Sequence, residues 1–229
     1  MAAVRSSLAG GGLGARLFYV VVRGVVVALC RVWLGLTVHG ADRIPARGAY
    51  IVAPTHRSAM DIPIAAAAST RRLRFMGKDS LWRRRPIGAV LSALGGFPVT
   101  RGSADLEALK RCVAVLASGE PLVLFPEGTR QSGQTVHPLF DGAAFVAYKA
   151  QVPIVPAAIA GSEHAMAKGR RSIGRGRCAL VIGEPIALPP IAGPRASRED
   201  LAALTELLRE RLQELLDEAN AIVGAQRAR

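Results

Sequence analysis

Cysteine is scarce in this chain of 229 residues, with single thiols at positions 30, 112 and 178. Because the three are odd in number and far apart, they predict neither a disulfide framework nor the close pairs of a structural zinc site. The four histidines also stand singly, and we assign no metal. Free thiols fit a reducing, cytoplasmic compartment.

Aromatic and acidic residues are also few. Aromatics make up 5% of the chain, and 17 Asp and Glu oppose 30 Lys and Arg, which gives a net charge of +13. Such an excess predicts an anionic partner, either nucleic acid or an anionic membrane surface. The basic runs lack the interleaved aromatic residues typical of nucleic-acid-binding modules. We therefore expect a membrane surface and no nucleic acid, and keep a non-catalytic nucleic-acid-binding module as a distant alternative.

The apolar segment 17–36 contains no uncharged run long enough to cross a bilayer, because Arg23 and Arg31 divide it. An arginine at the centre of a span costs about 2.5–3.5 kcal/mol on insertion scales. At 100° per residue these arginines share one helical stripe with Arg16. The pattern is typical of a helix in the membrane interface with its arginines at the head groups. We predict that residues 1–36 form this membrane-associating helix, although a helix that covers the core would show a similar pattern.

Half of the residues are hydrophobic, and short apolar runs alternate with helical patterns along the rest of the chain. This alternation predicts a single α/β domain over residues 37–195, with a largely parallel or mixed sheet flanked by helices. A C-terminal helix over 196–229 should pack on it through a stripe of leucines. The predicted strands are Tyr50–Ala53, Leu73–Met76, Phe97–Val99, Leu122–Phe125, Ile154–Ile159 and Ala179–Ile182, and the predicted helices are Ile62–Ser69, Ile87–Leu94, Leu106–Ser118, Ala143–Gln151 and Arg198–Val223.

The stretch "APTHRSAMDIPIA", residues 53–65, places a histidine and an aspartate at the end of a predicted strand. Open α/β sheets bind their ligands at that end. Pro63 belongs in the first turn of a helix, which puts the helix start near Asp61. The loop can fold back so that Asp61 accepts from Nδ1 of His56, which fixes the tautomer and leaves Nε2 basic. The alternative is a helix cap beside an ordinary loop histidine.

Three further segments follow strands or form one. "GGFPVTRG", residues 95–102, carries the single cation Arg101 among small residues. In "LFPEGTR", residues 124–130, a glycine permits unusual dihedral angles, and the threonine and arginine after it can donate to phosphate oxygens. "VPIVPAAIAG", residues 152–161, predicts a buried strand.

In this order the four segments resemble the four motif blocks of the lysophospholipid acyltransferase family, with "HRSAMD" as its His-x4-Asp block. The resemblance runs from about residue 37 to residue 185 and implies a glycerol-3-phosphate acyltransferase-like fold. It implies that His56 is the general base and that Asp61 orients it. The acceptor-binding residues that it implies are Lys78, Arg101, Glu127, Gly128, Thr129 and Arg130.

The activity implied by the resemblance is transfer of a fatty acyl group to the sn-2 hydroxyl of 1-acylglycerol-3-phosphate (lysophosphatidate), which yields phosphatidate. Acyl-CoA or acyl carrier protein would be the co-substrate, with no further cofactor. Another lysolipid or a glycolipid is the alternative acceptor. We expect a peripheral or interfacial protein on the cytoplasmic face of the cell membrane.

Overall fold

One mixed sheet organises the computed structural model, which describes residues 12–99, 106–166, 172–191, 193 and 195–228. Its seven strands lie in the order β1-β7-β6-β2-β5-β3-β4, and all neighbours are parallel except the antiparallel pair β6 and β7. The strands are β1 (Thr37–His39), β2 (Ile51–Pro54), β3 (Arg74–Lys78), β4 (Gly96–Val99), β5 (Leu122–Val123), β6 (Ile154–Ala160) and β7 (Ala179–Ile182).

Helices connect and cover the strands. Ser197 caps the last of them through a capping box with Asp200, and a proline in the first turn starts the third. The helices are α1 (Leu13–Trp33), α2 (Asp61–Ala65), α3 (Arg85–Ala93), α4 (Leu106–Ala117), α5 (Gly142–Ala150), α6 (Ser162–Ala165) and α7 (Arg198–Arg227), and 3-10 turns cover Ala41–Arg43, Ala66–Ala68 and Asp79–Arg83.

Each face of the sheet carries its own hydrophobic core. Helices α4, α5 and α7 pack on one face, and α1 and α2 pack on the other. The central strand β2 is buried along its whole length, with Ile51 and Ala53 in one core and Val52 in the other. Burial on both faces explains why its sequence reads as a continuous apolar run. The carboxyl end of β2 lies outside both cores, at the end of the sheet where the loop 55–60 begins.

The α/β architecture and mixed sheet predicted from the sequence are confirmed, and each predicted strand corresponds to an observed one. Strand β1 was missed because three residues, "TVH", form no apolar run. Predicted helix 62–69 is shorter than expected: α2 ends at Ala65 and continues as the 3-10 turn Ala66–Ala68.

Arg23 of helix α1 contacts the domain, whereas Arg16 and Arg31 of the same stripe are exposed, so the expected contact of this stripe with lipid head groups stays a prediction. Arg23 donates from Nε to the carbonyl of Ala66 at 2.9 Å. Tyr19, on the same side, is buried and accepts a hydrogen bond from the Leu73 amide. This hydrogen bond gives the guanidinium an acceptor and gives the carbonyl at the end of α2 a donor, while the apolar stem of the arginine packs against the domain. By length and composition α1 is the one helix among the described residues apolar enough to cross a membrane.

The opposite face of α1 is apolar and exposed. The largest exposures on it are those of Leu13 at 85% and Val32 at 84%. Large exposed apolar patches on a soluble domain mark a surface that meets another molecule or a membrane. The exposed apolar side chains of this face are Leu13, Leu17, Phe18, Val20, Val21, Val25, Leu29, Val32 and Trp33.

Candidate active site

The loop after β2 is anchored to strand β6 and to the turn that follows β5. Thr55 extends the pairing with β6, because its amide donates to Ala157 and its hydroxyl accepts from the Ile159 amide at 2.9 Å. The next residue, His56, donates its amide to a Glu127 carboxylate oxygen at 2.7 Å and accepts from the Gln131 amide at 2.8 Å. The backbone that carries the imidazole is therefore held from both sides.

His56 and Asp61 meet as the sequence predicts. The distance between His56 Nδ1 and Asp61 Oδ2 is 2.9 Å, and Asp61 is fully buried at the first residue of α2. A carboxylate accepts hydrogen bonds, so Nδ1 carries the proton and Nε2 is the basic nitrogen. The His56 side chain keeps 16% exposure, so solvent or a substrate reaches the ring.

Four donors surround the Asp61 carboxylate. Oδ2 accepts from His56 Nδ1 and from the amides of Arg57 at 2.5 Å and Ser58 at 2.7 Å, while Oδ1 accepts from the Ser162 hydroxyl at 2.5 Å. All four contacts suit the ionised form and fix the plane of the carboxylate. The buried Ser58 hydroxyl is itself used, since it donates to the Met166 carbonyl at 2.7 Å.

The Phe125 ring lies against the imidazole. The two ring centroids are 4.2 Å apart with an interplanar angle of 32°. This contact restricts rotation of His56 about its side-chain bonds while the Asp61 contact fixes the ring edge. Together they hold Nε2 in one direction.

A buried ion pair between Arg57 and Glu127 joins the loop that carries His56 to the turn after β5. Nη1 of Arg57 donates to both oxygens of Glu127 at 2.7 Å, and its other nitrogens donate to the carbonyls of Gly133 and Thr135. The side chains of Arg57 and Glu127 are 2% and 0% exposed. The Glu127 carboxylate is taken by Arg57 and by the His56 amide and thereby shapes the loop, and its expected role in acceptor binding stays a prediction.

The turn after Glu127 is exposed. Gly128 has φ of 68°, and a Cβ at this position would lie 2.7 Å from the Phe140 ring, so the turn requires glycine. Thr129 is exposed and accepts at its hydroxyl from the Gln131 side chain at 3.2 Å. Arg130 is half-buried and makes no hydrogen bond or ion pair within the described part of the chain. The amide of the next residue, Gln131, donates to the His56 carbonyl. Arg130 therefore lies on a loop that contacts the loop of His56.

The other two predicted acceptor residues, Lys78 and Arg101, stay predictions. Lys78 is the last residue of β3, at the carboxyl end of a strand parallel to β5. Arg101 lies outside the described residues. No group of three or more His, Cys, Asp or Glu side chains that could hold a metal ion occurs in the described ranges.

Sequence reasoning missed three residues of the site: Arg57, Phe125 and Ser162. Arg57 lies inside the His-Asp segment, but its ion pair with a residue 70 positions away is invisible in local spacing. Ser162 directly follows the fourth segment, "VPIVPAAIAG". A polar residue just past the carboxyl end of a buried strand was the available signal for it.

The arrangement can take up a proton. An imidazole with an ionised, fully bonded carboxylate on Nδ1 stabilises the imidazolium that forms when Nε2 accepts a proton from an alcohol. The guanidinium of Arg130, which has no partner among the described residues, can bind an anionic group.

Comparisons with known proteins identify the family of this chain. Residues 35–160 match the acyltransferase family. The chain is 32% identical over 182 residues to the 1-acyl-sn-glycerol-3-phosphate acyltransferase of Bacillus subtilis, covering 79% of this chain and 88% of that protein. It is 26% identical to the chloroplastic 1-acyl-sn-glycerol-3-phosphate acyltransferase BAT2 of Brassica napus, but spans only 49% of that longer protein.

The fold is also that of a solved structure. The crystal structure of the 1-acyl-sn-glycerophosphate (LPA) acyltransferase PlsC from Thermotoga maritima superimposes with a TM-score of 0.73 and 26% sequence identity. The match covers 88% of this chain and 81% of PlsC. The chain therefore belongs to the acyltransferase family.

Proposed function

We propose that this protein transfers a fatty acyl group from acyl-CoA or acyl carrier protein to the sn-2 hydroxyl of 1-acylglycerol-3-phosphate, forming phosphatidate. The observation that carries the proposal is the 2.9 Å contact between Asp61 Oδ2 and His56 Nδ1 at the carboxyl end of β2. That contact leaves Nε2 as a base. The acceptor follows from the names of the relatives, which are 1-acyl-sn-glycerol-3-phosphate acyltransferases.

In the proposed reaction His56 is the general base. Nε2 takes the proton of the sn-2 hydroxyl as its oxygen forms a bond to the thioester carbon. The tetrahedral intermediate then expels sulfur as the C–S bond breaks, and the imidazolium returns the proton to the thiolate. A thioester is already activated, so direct transfer needs no acyl-enzyme. A positioned base contributes on the order of 10²–10⁴ in rate, and holding both substrates adds to this.

Arg130 is the proposed anchor for the acceptor phosphate. It has no partner among the described side chains, and an arginine presents two parallel donors that fit phosphate oxygens. Thr129 adds an exposed hydroxyl beside it. The Gln131 amide ties this loop to the His56 carbonyl at 2.8 Å. Binding of the phosphate would thus be coupled to the position of the base.

We further propose that the protein works at the cytoplasmic face of the membrane, held by residues 1–36. The exposed apolar face of α1 supports this, because it supplies the buried area that an interfacial helix requires. The net charge of +13 favours an anionic leaflet. The acceptor, a lysolipid, resides at the same surface.

The direct experiment is an acyl-transfer assay with purified protein in vesicles. Lysophosphatidate is supplied with labelled acyl-CoA in one arm and labelled acyl carrier protein in another, and the product is identified by mass. A parallel arm replaces lysophosphatidate with lysophosphatidylcholine or an acylated glycolipid. Phosphatidate in either of the first two arms supports the proposal, and the arm that gives product identifies the acyl donor. Product only from the other acceptors would refute lysophosphatidate as the substrate.

A further inference from the structure

A groove of about 840 Å³ lies between α1 and the segments that precede β2 and β3. Its walls are mainly apolar, formed by Val27 and Val32 from α1 and by Ile44 and Pro45 opposite them. Pro45 precedes β2, whereas His56 follows it, so the groove lies toward the other end of that strand. None of the residues that surround His56 lines it.

Three arginines and one acid line this groove: Arg23, Arg31, Arg71 and Asp42. The Arg71 guanidinium is occupied by backbone carbonyls, including that of Gly119 at 3.0 Å. Arg23 uses only Nε, for the Ala66 carbonyl. Arg31 is exposed and has no hydrogen bond or ion pair with any described residue. The groove therefore offers one unengaged guanidinium and part of a second, in excess of its single carboxylate.

The groove opens beside the exposed apolar face of α1. Val32 belongs to both, since it lines the groove and is 84% exposed. Leu29 and Trp33, its neighbours on the outer face, are 61% and 45% exposed. A ligand with a negative charge at one end and hydrocarbon at the other matches this pairing of a cationic groove with an apolar face. Membrane phospholipids with an anionic head group have that form.

We propose that this groove binds one anionic membrane phospholipid, with its phosphate at Arg31 and Arg23 and its acyl chains along the outer face of α1. The site is separate from the acceptor site at His56 and does not depend on acyl transfer. Its effect would be to seat α1 on anionic membranes through a single bound lipid as well as through diffuse charge.

The test is native mass spectrometry of the protein in a neutral detergent, with phosphatidylglycerol or phosphatidylcholine as the probe lipid. The wild type should retain one phosphatidylglycerol and no phosphatidylcholine. Arg31→Gln should lower the retained fraction about fivefold, in line with the interaction of one basic residue with an anionic lipid. Gly24→Trp fills the groove without changing charge, and a Cβ at Gly24 meets no atom within 4 Å, so it should abolish retention.

The matched control is Arg198→Gln, which removes the same charge at the start of α7, on the other face of the sheet. It should leave retention unchanged. An equal loss in Arg198→Gln would indicate diffuse electrostatics and overturn the proposal, as would full retention in Gly24→Trp. Displacement by lysophosphatidate would assign the lipid to the acceptor site, and displacement by inorganic phosphate would reduce the groove to a simple anion site.

Discussion

The hydroxyl of Ser162 donates to Asp61 Oδ1 at 2.5 Å, and the other oxygen of the same carboxylate receives His56 Nδ1. Ser162 opens α6 directly after β6, and Asp61 opens α2 after β2, two strands that are neighbours in the sheet. Parallel pairing of β2 and β6 thus delivers both side chains to one point. The geometry of the His56 base therefore depends on a residue that lies 101 positions after Asp61 in the chain.

Replacing Ser162 should impair turnover without weakening acceptor binding. We expect Ser162→Ala to lower kcat about tenfold, the worth of one hydrogen bond to a charged group, with KM little changed. Ser162→Cys carries a near-isostere that is a weaker donor, so its kcat should lie between those of the wild type and Ser162→Ala. Steady-state kinetics on purified, folded variants measures this order. If Ser162→Ala retains wild-type kcat, or if kcat and KM change together, the serine does not position the base.

The buried pair Arg57 and Glu127 should be strongly coupled in stability. Glu127→Met leaves a guanidinium that is 2% exposed without its partner, and we expect a loss of about 3–5 kcal/mol in the free energy of unfolding. The double variant Arg57→Met with Glu127→Met should lose much less than the sum of the two single changes. Denaturant unfolding gives all four values. Additive losses would show that the pair is not coupled.

The surface pair Arg209 and Glu206 is the control for that cycle, because both side chains are solvent-exposed neighbours on α7. Removing either should change stability little.

Arg130 should matter only for acceptors that carry a phosphomonoester. Arg130→Gln is expected to raise KM for lysophosphatidate about tenfold to hundredfold, the loss of a charge-assisted contact. Turnover of an acceptor without that group should be unchanged. Arg198→Gln, on α7, serves as the charge control. Equal effects on both classes of acceptor would exclude a specific phosphate contact.

Alkaline pH should destabilise the fold through two buried thiols. Burial raises the pKa of Cys112 and of Cys178 from the ordinary 9.0 to about 12. The folded state then keeps protons that the unfolded state has lost. Stability is therefore complete below pH 9 and falls as pH rises toward 12. Unfolding free energies of the wild type and of Cys112→Ala with Cys178→Ala, at about pH 8 and about pH 10.5, should show a shallower fall in the variant. Parallel falls would contradict this assignment.

The sequence predicted those features that local patterns encode. Continuous apolar runs identify strands buried on both faces, which is why the prediction for β6 differs from the observed strand by one residue. The His56 and Asp61 contact was also predictable, because five positions separate the two and a proline fixes the helix start. Features set by residues that are distant in the sequence were not predictable. The direction of Glu127 depends on Arg57, and the direction of Arg23 depends on a carbonyl in the turn Ala66–Ala68.

A matched pair of histidine variants decides whether Nε2 of His56 is the base for acyl transfer. His56→Ala and His39→Ala, the latter an exposed histidine at the end of β1, are compared in single-turnover acyl transfer to lysophosphatidate. We expect His56→Ala to lose on the order of 10²–10⁴ in rate while remaining folded, and His39→Ala to be unaffected. Near-normal transfer by folded His56→Ala protein would show that His56 is not the base.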